Sequence, residues 1–500
     1  MNQSTLPVAV IGAGPVGLAA AAHLSARGLT PLILEAGATA GASVREWAHV
    51  RFFSPWRYAI DATARALLEA RGWPAPDPEG YPTGRELVDQ YLTPLAALPE
   101  IAPYLRLNSR VLSVTRLGFD KMKTAGREEA PFVLRVQGPD GREEAILARA
   151  VIDASGTWTM PNTLGADGVP AIGERGLAHR VFYGIPDVLG AHRARYAGRR
   201  VLVVGSGHSA FNALQDLAEL ARQASGTAIT WAIRRPGLGQ IFGGGADDTL
   251  AERGALGRRI RELVDAGTLR VVTDFKIAAL RDTPSGIVVE GGSEALEPVD
   301  EIVATTGFRP DLSLLGELRL GLDPAVESPI VLAPLIDPNI HSCGTVRPHG
   351  AIELAHPERD FYIVGMKSYG RAPTFLLLTG YEQVRSVVAA IAGDWAAARD
   401  VRLVLPETGV CSSGADGGSC DASPVALSPI AVTLPQPEPV REPALAKAGA
   451  RTQGVGWPEV QLAPEDVSSC CAPSKQETCC DPSEKAACCG SSAEGTCGCQ

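Results

Sequence analysis

The stretch VAVIGAGPVGLAAAAHLSARGLTPLILE, residues 8–35, constrains this chain more than any other part of it. A short apolar run enters a glycine-rich turn. An Ala- and Leu-rich segment from about Val16 to Arg27 then reads as a helix, Gly28 ends it, and PLILE returns as a second strand. Gly12, Gly14 and Gly17 keep the G-x-G-x-x-G spacing of a dinucleotide-binding turn. Gly12 permits the tight turn, Gly14 lets backbone approach a pyrophosphate, and Gly17 lets helix and strand pack closely, with the helix N-terminus facing the anion. Glu35 ends the second strand, where a carboxylate accepts hydrogen bonds from an adenosine ribose. The glycine spacing alone is a weak signal, because such turns are common; strand, helix, strand and acid together make it specific.

The pattern restarts at Arg200 as VLVVGSGHSAFNALQDLAEL and AITWAIRRP. Gly205, Gly207 and Ala210 repeat the device, the small third residue replacing glycine. No acid follows the second strand of this unit. Arg234 and Arg235 stand there instead, suited to a 2′-phosphate and so to NADPH over NADH; the alternative is a solvated basic pair at a strand end. Between the two units come helical patterns in ATARALLEARGW and GRELVDQYLTPLAAL, then extended runs in RVLSVTRL, FVLRVQG and EAILARAVIDASG. Further strands are expected in LRVVTDFKIAAL, GIVVEGG, EIVATTGFRPD and DFYIVG, and a closing helix in FLLLTGYEQVRSVVAAIAG. The expected class is α/β, with two Rossmann-like dinucleotide-binding domains.

Two dinucleotide units in one chain imply two nucleotides placed for hydride transfer. From Pro7 to about Gly393 the chain resembles the two-dinucleotide-binding flavoproteins, which include flavin-containing monooxygenases, Baeyer–Villiger monooxygenases and thioredoxin reductases. The shared features are VIGAGPVGL, VIDASGTWTMPN, VVGSGHSA, ATTGFRPD and a late YIVG before a helix. The resemblance implies an FAD domain built from residues 1–165 and 325–400, with an NADPH domain inserted at 195–315. It implies that Gly156 and Gly307 lie in the two crossings between domains, that Val111 contacts the adenine through its backbone, and that Gly365 approaches the flavin. Disulfide reductases of this class keep a redox cysteine pair beside the flavin, yet no cysteine precedes Cys343 here. ERGLAHRVFYGIPD matches the monooxygenase linker fingerprint at His179, although Gly173 and Arg175 stand where Phe and Gly belong. RFFSPWRYAID occupies the place of the aromatic loop that monooxygenases carry over the flavin. The resemblance thus favours a monooxygenase: NADPH reduces FAD, reduced flavin adds O2, and a flavin peroxide passes one oxygen to a small substrate. No catalytic acid or base is assigned. Arg57, Lys367, Tyr369 and Arg371 lie in motifs expected near the flavin, with a surface position the alternative for each.

The end of the chain asks a separate question. From about Val401 it turns to Pro, Ala, Gly and Ser with few aromatics, too little apolar surface to offset ordering, so a disordered linker (401–469) and tail (470–500) are expected. Eight of the eleven cysteines fall in that tail: Cys470, Cys471, Cys479, Cys480, Cys488, Cys489, Cys497 and Cys499. The pairs start nine residues apart within the nonamers CCAPSKQET, CCDPSEKAA and CCGSSAEGT, a true internal repeat. Thiolates bind soft ions such as Cu(I), Zn(II) or As(III). Vicinal pairs of this kind resemble those of arsenic-handling regulators and metallochaperones, and the flavoprotein core resembles monooxygenase-like members of arsenic-resistance gene sets. The tail is therefore expected to capture As(III) or another soft ion and raise its local concentration near the flavin. The competing readings are a metal or disulfide reductase that uses the tail thiols as a relay, and a non-catalytic soft-metal buffer or sensor.

Smaller features complete the reading. His341, Cys343, His349, Glu353 and His356 are metal-ligand types at a spacing that matches no zinc pattern, so a polar pocket or an ordinary loop is preferred there. GGGADD, residues 243–248, reads as a loop over the cofactors or merely a loop. A net charge of −10 argues against nucleic acid or an anionic membrane as partner. The N-terminus lacks a signal-peptide pattern and no apolar run spans a bilayer, so a cytosolic protein is expected. A homodimer is an assembly this reading admits, the tail then serving its own flavin or a partner's.

Overall fold

The computed structural model describes residues 5–242, 250–340, 348–373 and 375–402. All eleven cysteines, the GGGADD loop, His341 and the repeat tail lie outside the described residues. The described residues belong to one compact unit, within Met1–Gly418.

The chain begins with β1 (Val8–Ile11), buried at every position, the helix Pro15–Ala26, and β2 (Pro31–Leu34). Proline at the first helical position suits a terminus whose N–H groups have no intrahelical partner. The helices Ala62–Glu69 and Gly84–Leu87 follow, capped by Asp61 and by a Thr83–Glu86 capping box respectively. After the short β3 (Leu105–Arg106) comes an antiparallel meander of β4 (Arg110–Arg116), β5 (Phe132–Gln137) and β6 (Glu143–Ala148). The run EAILARAVID looks continuous in sequence but divides at Arg149: β6 stays with the meander, whereas β7 (Ala150–Asp153) pairs parallel to β1. Burial marks the switch. β6 opens with three exposed residues, and β7 is buried throughout, as a central parallel strand requires.

The second half holds β8 (Val181–Tyr183), β9 (Arg200–Val204), β10 (Ala228–Ala232), β11 (Arg270–Val272), a small antiparallel group β12 (Ala279–Thr283), β13 (Gly286–Gly291) and β14 (Glu294–Ala295), and β15 (Glu301–Ala304). The helices His208–Gln223 and Ala251–Asp265 lie within it. β16 (Phe361–Ile363) then returns to the first sheet. The two principal sheets are parallel, in the orders β16-β7-β1-β2-β3 and β11-β10-β9-β15-β8. The second sheet reaches further toward the N-terminus than residue 195, because β8 pairs with β15.

Each sheet has its own core. Val8, Val10, Leu18, Leu24 and Ile33 belong to one with Val384, Val387 and Val388 of the closing helix Leu377–Ile391; Val201, Val203, Leu214, Leu217 and Trp231 belong to another. Among the described residues no helix is long and apolar enough to cross a membrane.

Candidate functional site

Ligands of open parallel sheets lie outside the carboxyl ends of the strands, where strand order reverses. In the first sheet that point is β1, with β2 on one side and β7 on the other. The chain leaves β1 through Gly12, whose φ of +98° is a conformation L side chains rarely adopt. A Cβ at Gly17 would strike the carbonyl oxygen of Gly12, so helix and turn approach as closely as the sequence expectation requires. A Cβ at Gly14 would meet nothing within 4 Å: the turn faces open space, as a pyrophosphate needs. Glu35, just past β2, accepts hydrogen bonds from the backbone N–H of Ala13 and of Gly37, both at 2.7 Å. Gly12, Gly14, Gly17 and Glu35 are thus gathered at one crevice. Val111 lies two residues beyond Ser109, whose N–H bonds the Glu35 carbonyl at 2.8 Å, which sets that backbone beside Glu35.

Gly365, with φ of +69°, follows β16 and faces the first turn of the helix Pro15–Ala26: a Cβ there would lie 3.3 Å from Val16 Cγ2. The turn it opens is fixed from behind by Gln383, which accepts from Gly365 N at 2.7 Å and donates to Ser368 Oγ at 2.9 Å.

The second crevice repeats the first. Gly205 (φ +129°) packs on Thr305, where a Cβ would meet the carbonyl; Gly207 opens on empty space and caps the helix His208–Gln223, and Ala210 is fully buried within that helix. Arg234 and Arg235 follow β10 at the expected place and are exposed; Arg234 Nη1 bonds Ala166 O at 3.1 Å. Arg235 holds Asp274 N through its carbonyl at 2.7 Å.

Gly156 and Gly307 stand where the chain leaves β7 and β15. The two segments run side by side: Asn162 N bonds Gly307 O at 2.9 Å, Thr306 Oγ1 bonds Asn162 O at 2.6 Å, and Arg309 Nε bonds Asn162 Oδ1 at 2.9 Å. Aromatic rings line this passage. Trp158 stacks on Phe308 at 4.8 Å and lies 6.5 Å from Trp47, which packs on Phe52 at 5.5 Å. Phe53, from the RFFSPW loop, meets His208 of the second glycine turn at 5.1 Å. These rings were not singled out one by one in the sequence, where only the motifs that hold some of them drew notice; Trp158 meets Phe308 and Trp47, and Phe53 meets His208, across more than a hundred residues of chain.

Of the four residues expected near the flavin, two are buried and two are exposed. Arg57 is exposed and pairs with Glu79, and Arg371 pairs with Glu327 at 3.1 Å. Tyr369 is buried, its ring edge-on to Phe375 at 5.1 Å. Lys367 is buried with Asp153. His349 is buried against Gln383, while His356 packs on Phe361 and is held neutral by burial, its pKa lowered to about 4. Among the described residues no three His, Cys, Asp or Glu side chains gather as a metal site. His179 lies in a short 3₁₀ turn ahead of β8, its carbonyl bonded by Arg195.

A second titratable group lies between the halves. Burial lowers the pKa of His49, opposed by the nearby Asp187 carboxylate. Burial, reinforced by Asp187, raises Asp216 to about 6.

Comparison with known proteins agrees with this geometry. The protein family described as pyridine nucleotide-disulphide oxidoreductase matches residues 9–328. A ferredoxin–NADP reductase from Salinispora arenicola is 28% identical over 322 residues, 64% of this chain and 79% of its own. One from Gluconobacter oxydans is 26% identical over 324 residues, 63% and 76% of the two chains. Among solved structures, a bacillithiol disulfide reductase from Bacillus cereus superposes with a TM-score of 0.54 at 20% identity, covering 78% of this chain and 99% of its own. A flavin monooxygenase from Stenotrophomonas maltophilia gives 0.50 at 24% identity, covering 78% and 98%. At such identities the structural likeness establishes the fold.

Proposed function

The chain belongs to the pyridine nucleotide-disulphide oxidoreductase family, and from that premise we propose that this FAD-dependent NADPH oxidoreductase is a monooxygenase for a small, soft substrate. Trivalent arsenicals, captured by the cysteine-pair tail, are the proposed substrate class.

The observation that carries the choice is where the thiols are. No cysteine precedes Cys343, so the segments that build both glycine crevices and the aromatic passage between them offer no thiolate pair to a flavin. Trp47, Phe52, Trp158 and Phe308 occupy that passage instead, an apolar wall suited to excluding water. The N-terminus of the helix Pro15–Ala26, with Gly12 and Gly14, would hold the FAD pyrophosphate, Glu35 its ribose, the Val111 backbone its adenine, and Gly365 would border the flavin. Gly205, Gly207 and Ala210 would hold NADPH, with Arg234 and Arg235 on its 2′-phosphate. Gly156 and Gly307 would mark the two crossings. Bound FAD supplies the acceptor for the two electrons of NADPH and the means of activating O2. In the overall balance one oxygen atom enters the substrate, and the other leaves as water with two protons and those two electrons.

The second reading is a reductase in which the tail thiols, Cys470 to Cys499, relay electrons to a disulfide or metalloid. The reductase activity named for the curated relatives favours it.

The full chain and a chain ending at Arg402 separate the two. Arg402 is a suitable end point because Glu382 accepts from its N–H at 3.0 Å, and Arg385 binds the carbonyls of Ala397 and Asp400. The monooxygenase reading expects one NADPH and one O2 consumed per arsenate formed from arsenite, and no turnover under nitrogen. The shortened chain should keep its kcat and lose apparent affinity for arsenite. NADPH oxidation that persists under nitrogen with a disulfide acceptor and vanishes in the shortened chain would overturn that reading in favour of the relay.

A further inference from the structure

Lys367 is an unusual residue to find where it is. Its side chain and that of Asp153 are both 0% exposed, and Nζ lies 2.8 Å from Asp153 Oδ2. Nζ also donates to Ser155 Oγ at 3.0 Å, and Ser155 Oγ donates to Asp153 Oδ1 at 2.6 Å. The three groups form a closed cycle of hydrogen bonds that joins Lys367 to two residues more than two hundred positions earlier. A buried ion pair is weak evidence for stability, because desolvation of both ions offsets their attraction. Its place in the sheet therefore has to account for it.

That place follows from topology. Asp153 ends β7 and Lys367 lies just past β16, so both stand at the carboxyl edge of the first sheet, on the side of β1 away from β2. Glu35 puts the adenosine end of a dinucleotide over β2, and the glycine turn after β1 takes its pyrophosphate. The other end of FAD, the flavin, must therefore extend over β7 and β16. Ser155 is exposed on this edge, and a Cβ at Gly12 would come within 3.1 Å of Ser155 Cα. The ammonium group thus sits one side chain behind the crevice wall, beside the phosphate turn and on the flavin side of it. It also acts at a distance on Asp311 of the return crossing. That carboxyl, which burial alone would raise, is held below its ordinary pKa by hydrogen bonds from Ser313 and by the charge of Lys367.

We infer that the Lys367–Asp153 pair, bridged by Ser155, is a positioning and electrostatic element that sets the reduction potential of the bound flavin. The inference rests on the FAD reading above. Reduction places electron density on the flavin. In a low-dielectric wall the Lys367 cation favours that density and the Asp153 carboxylate opposes it. Removing one partner uncovers the other, so the two single variants move the potential in opposite directions. A purely mechanical brace would not behave in that way.

The test is the midpoint potential of the flavin in the full-length protein, measured by dye equilibration, for wild type, Lys367→Met, Asp153→Asn and Lys367→Arg. Lys367→Met should lower the ratio of reduced to oxidised flavin affinity about tenfold, which is about 30 mV for a two-electron couple. Asp153→Asn should raise the potential, and Lys367→Arg should stay near wild type. If Lys367→Met emerges without flavin, the opposed result for Asp153→Asn and the retention in Lys367→Arg still decide the matter. Flavin-loaded Lys367→Met and Asp153→Asn with unmoved potentials, or with shifts of the same sign, would overturn the inference while leaving the FAD reading intact. A wild-type protein that holds no flavin would overturn both.

Discussion

Gly17 shows how little room the first crevice leaves. A methyl group there must displace the Gly12 carbonyl, backbone that has nowhere to move because Gly12 itself packs on Ala154 and Ser155. Gly17→Ala is therefore expected to yield protein without bound FAD, checked by the flavin absorbance of the purified chain; a fully loaded variant would show that the turn does not form the site. At Arg234 and Arg235 charge matters rather than space. Hydrogen bonds to charged groups contribute about 1.5–3 kcal/mol, so Arg234→Ala or Arg235→Ala should raise KM for NADPH roughly 10- to 100-fold and leave KM for NADH nearly unchanged. Equal effects on both nucleotides would make the pair a solvated strand end. Both placements are legible in sequence because each is local: a glycine against its own turn, an arginine two residues past its strand. Asp153 and Lys367 are not legible as a pair, since nothing in VIDASG or GMKSYG announces that these two residues meet.

At the level of elements, the packing of the meander against the return strand depends on three charges. Glu358 accepts from Arg116 Nε and Arg127 Nη2, both at 2.8 Å, and all three side chains are nearly fully buried. Removing one member of such a set leaves uncompensated charge, so Glu358→Ala is expected to cost about 3–5 kcal/mol in equilibrium unfolding. A loss below about 1 kcal/mol would mean that water reaches the triad. The helix His208–Gln223 carries the pH-dependent counterpart. Asp216, raised to about 6 by burial and by Asp187, binds a proton in the folded state that the unfolded chain releases near its ordinary pKa of 3.8. Between those values the folded state holds the extra proton, so stability falls as pH rises through the window and stays lower above it. Asp216→Asn should therefore raise Tm above about pH 7, by the equivalent of roughly 2–3 kcal/mol, and leave it nearly unchanged at about pH 3. A shift that is the same at both pH values would remove the carboxyl from the account. Strand–turn–helix units were readable here because their period is local. The division of EAILARAVID between two sheets, and the membership of β8 in the second sheet, depend on partners far along the chain.

For the whole molecule, two glycine crevices on two parallel sheets, joined by paired crossings at Asn162 and Gly307, form a core whose class the sequence patterns foretell. The eight tail cysteines are a sequence fact beyond the described residues, and their role stays with the proposal. One chain that holds both nucleotides should pass electrons directly from one to the other. The most direct test is an anaerobic titration of the purified full-length protein with NADPH, followed through the flavin absorbance. Complete bleaching by one equivalent of NADPH per chain is expected, with NADH far less effective at equal concentration. A chain that carries no flavin, or one whose flavin NADPH leaves oxidised, would contradict that expectation.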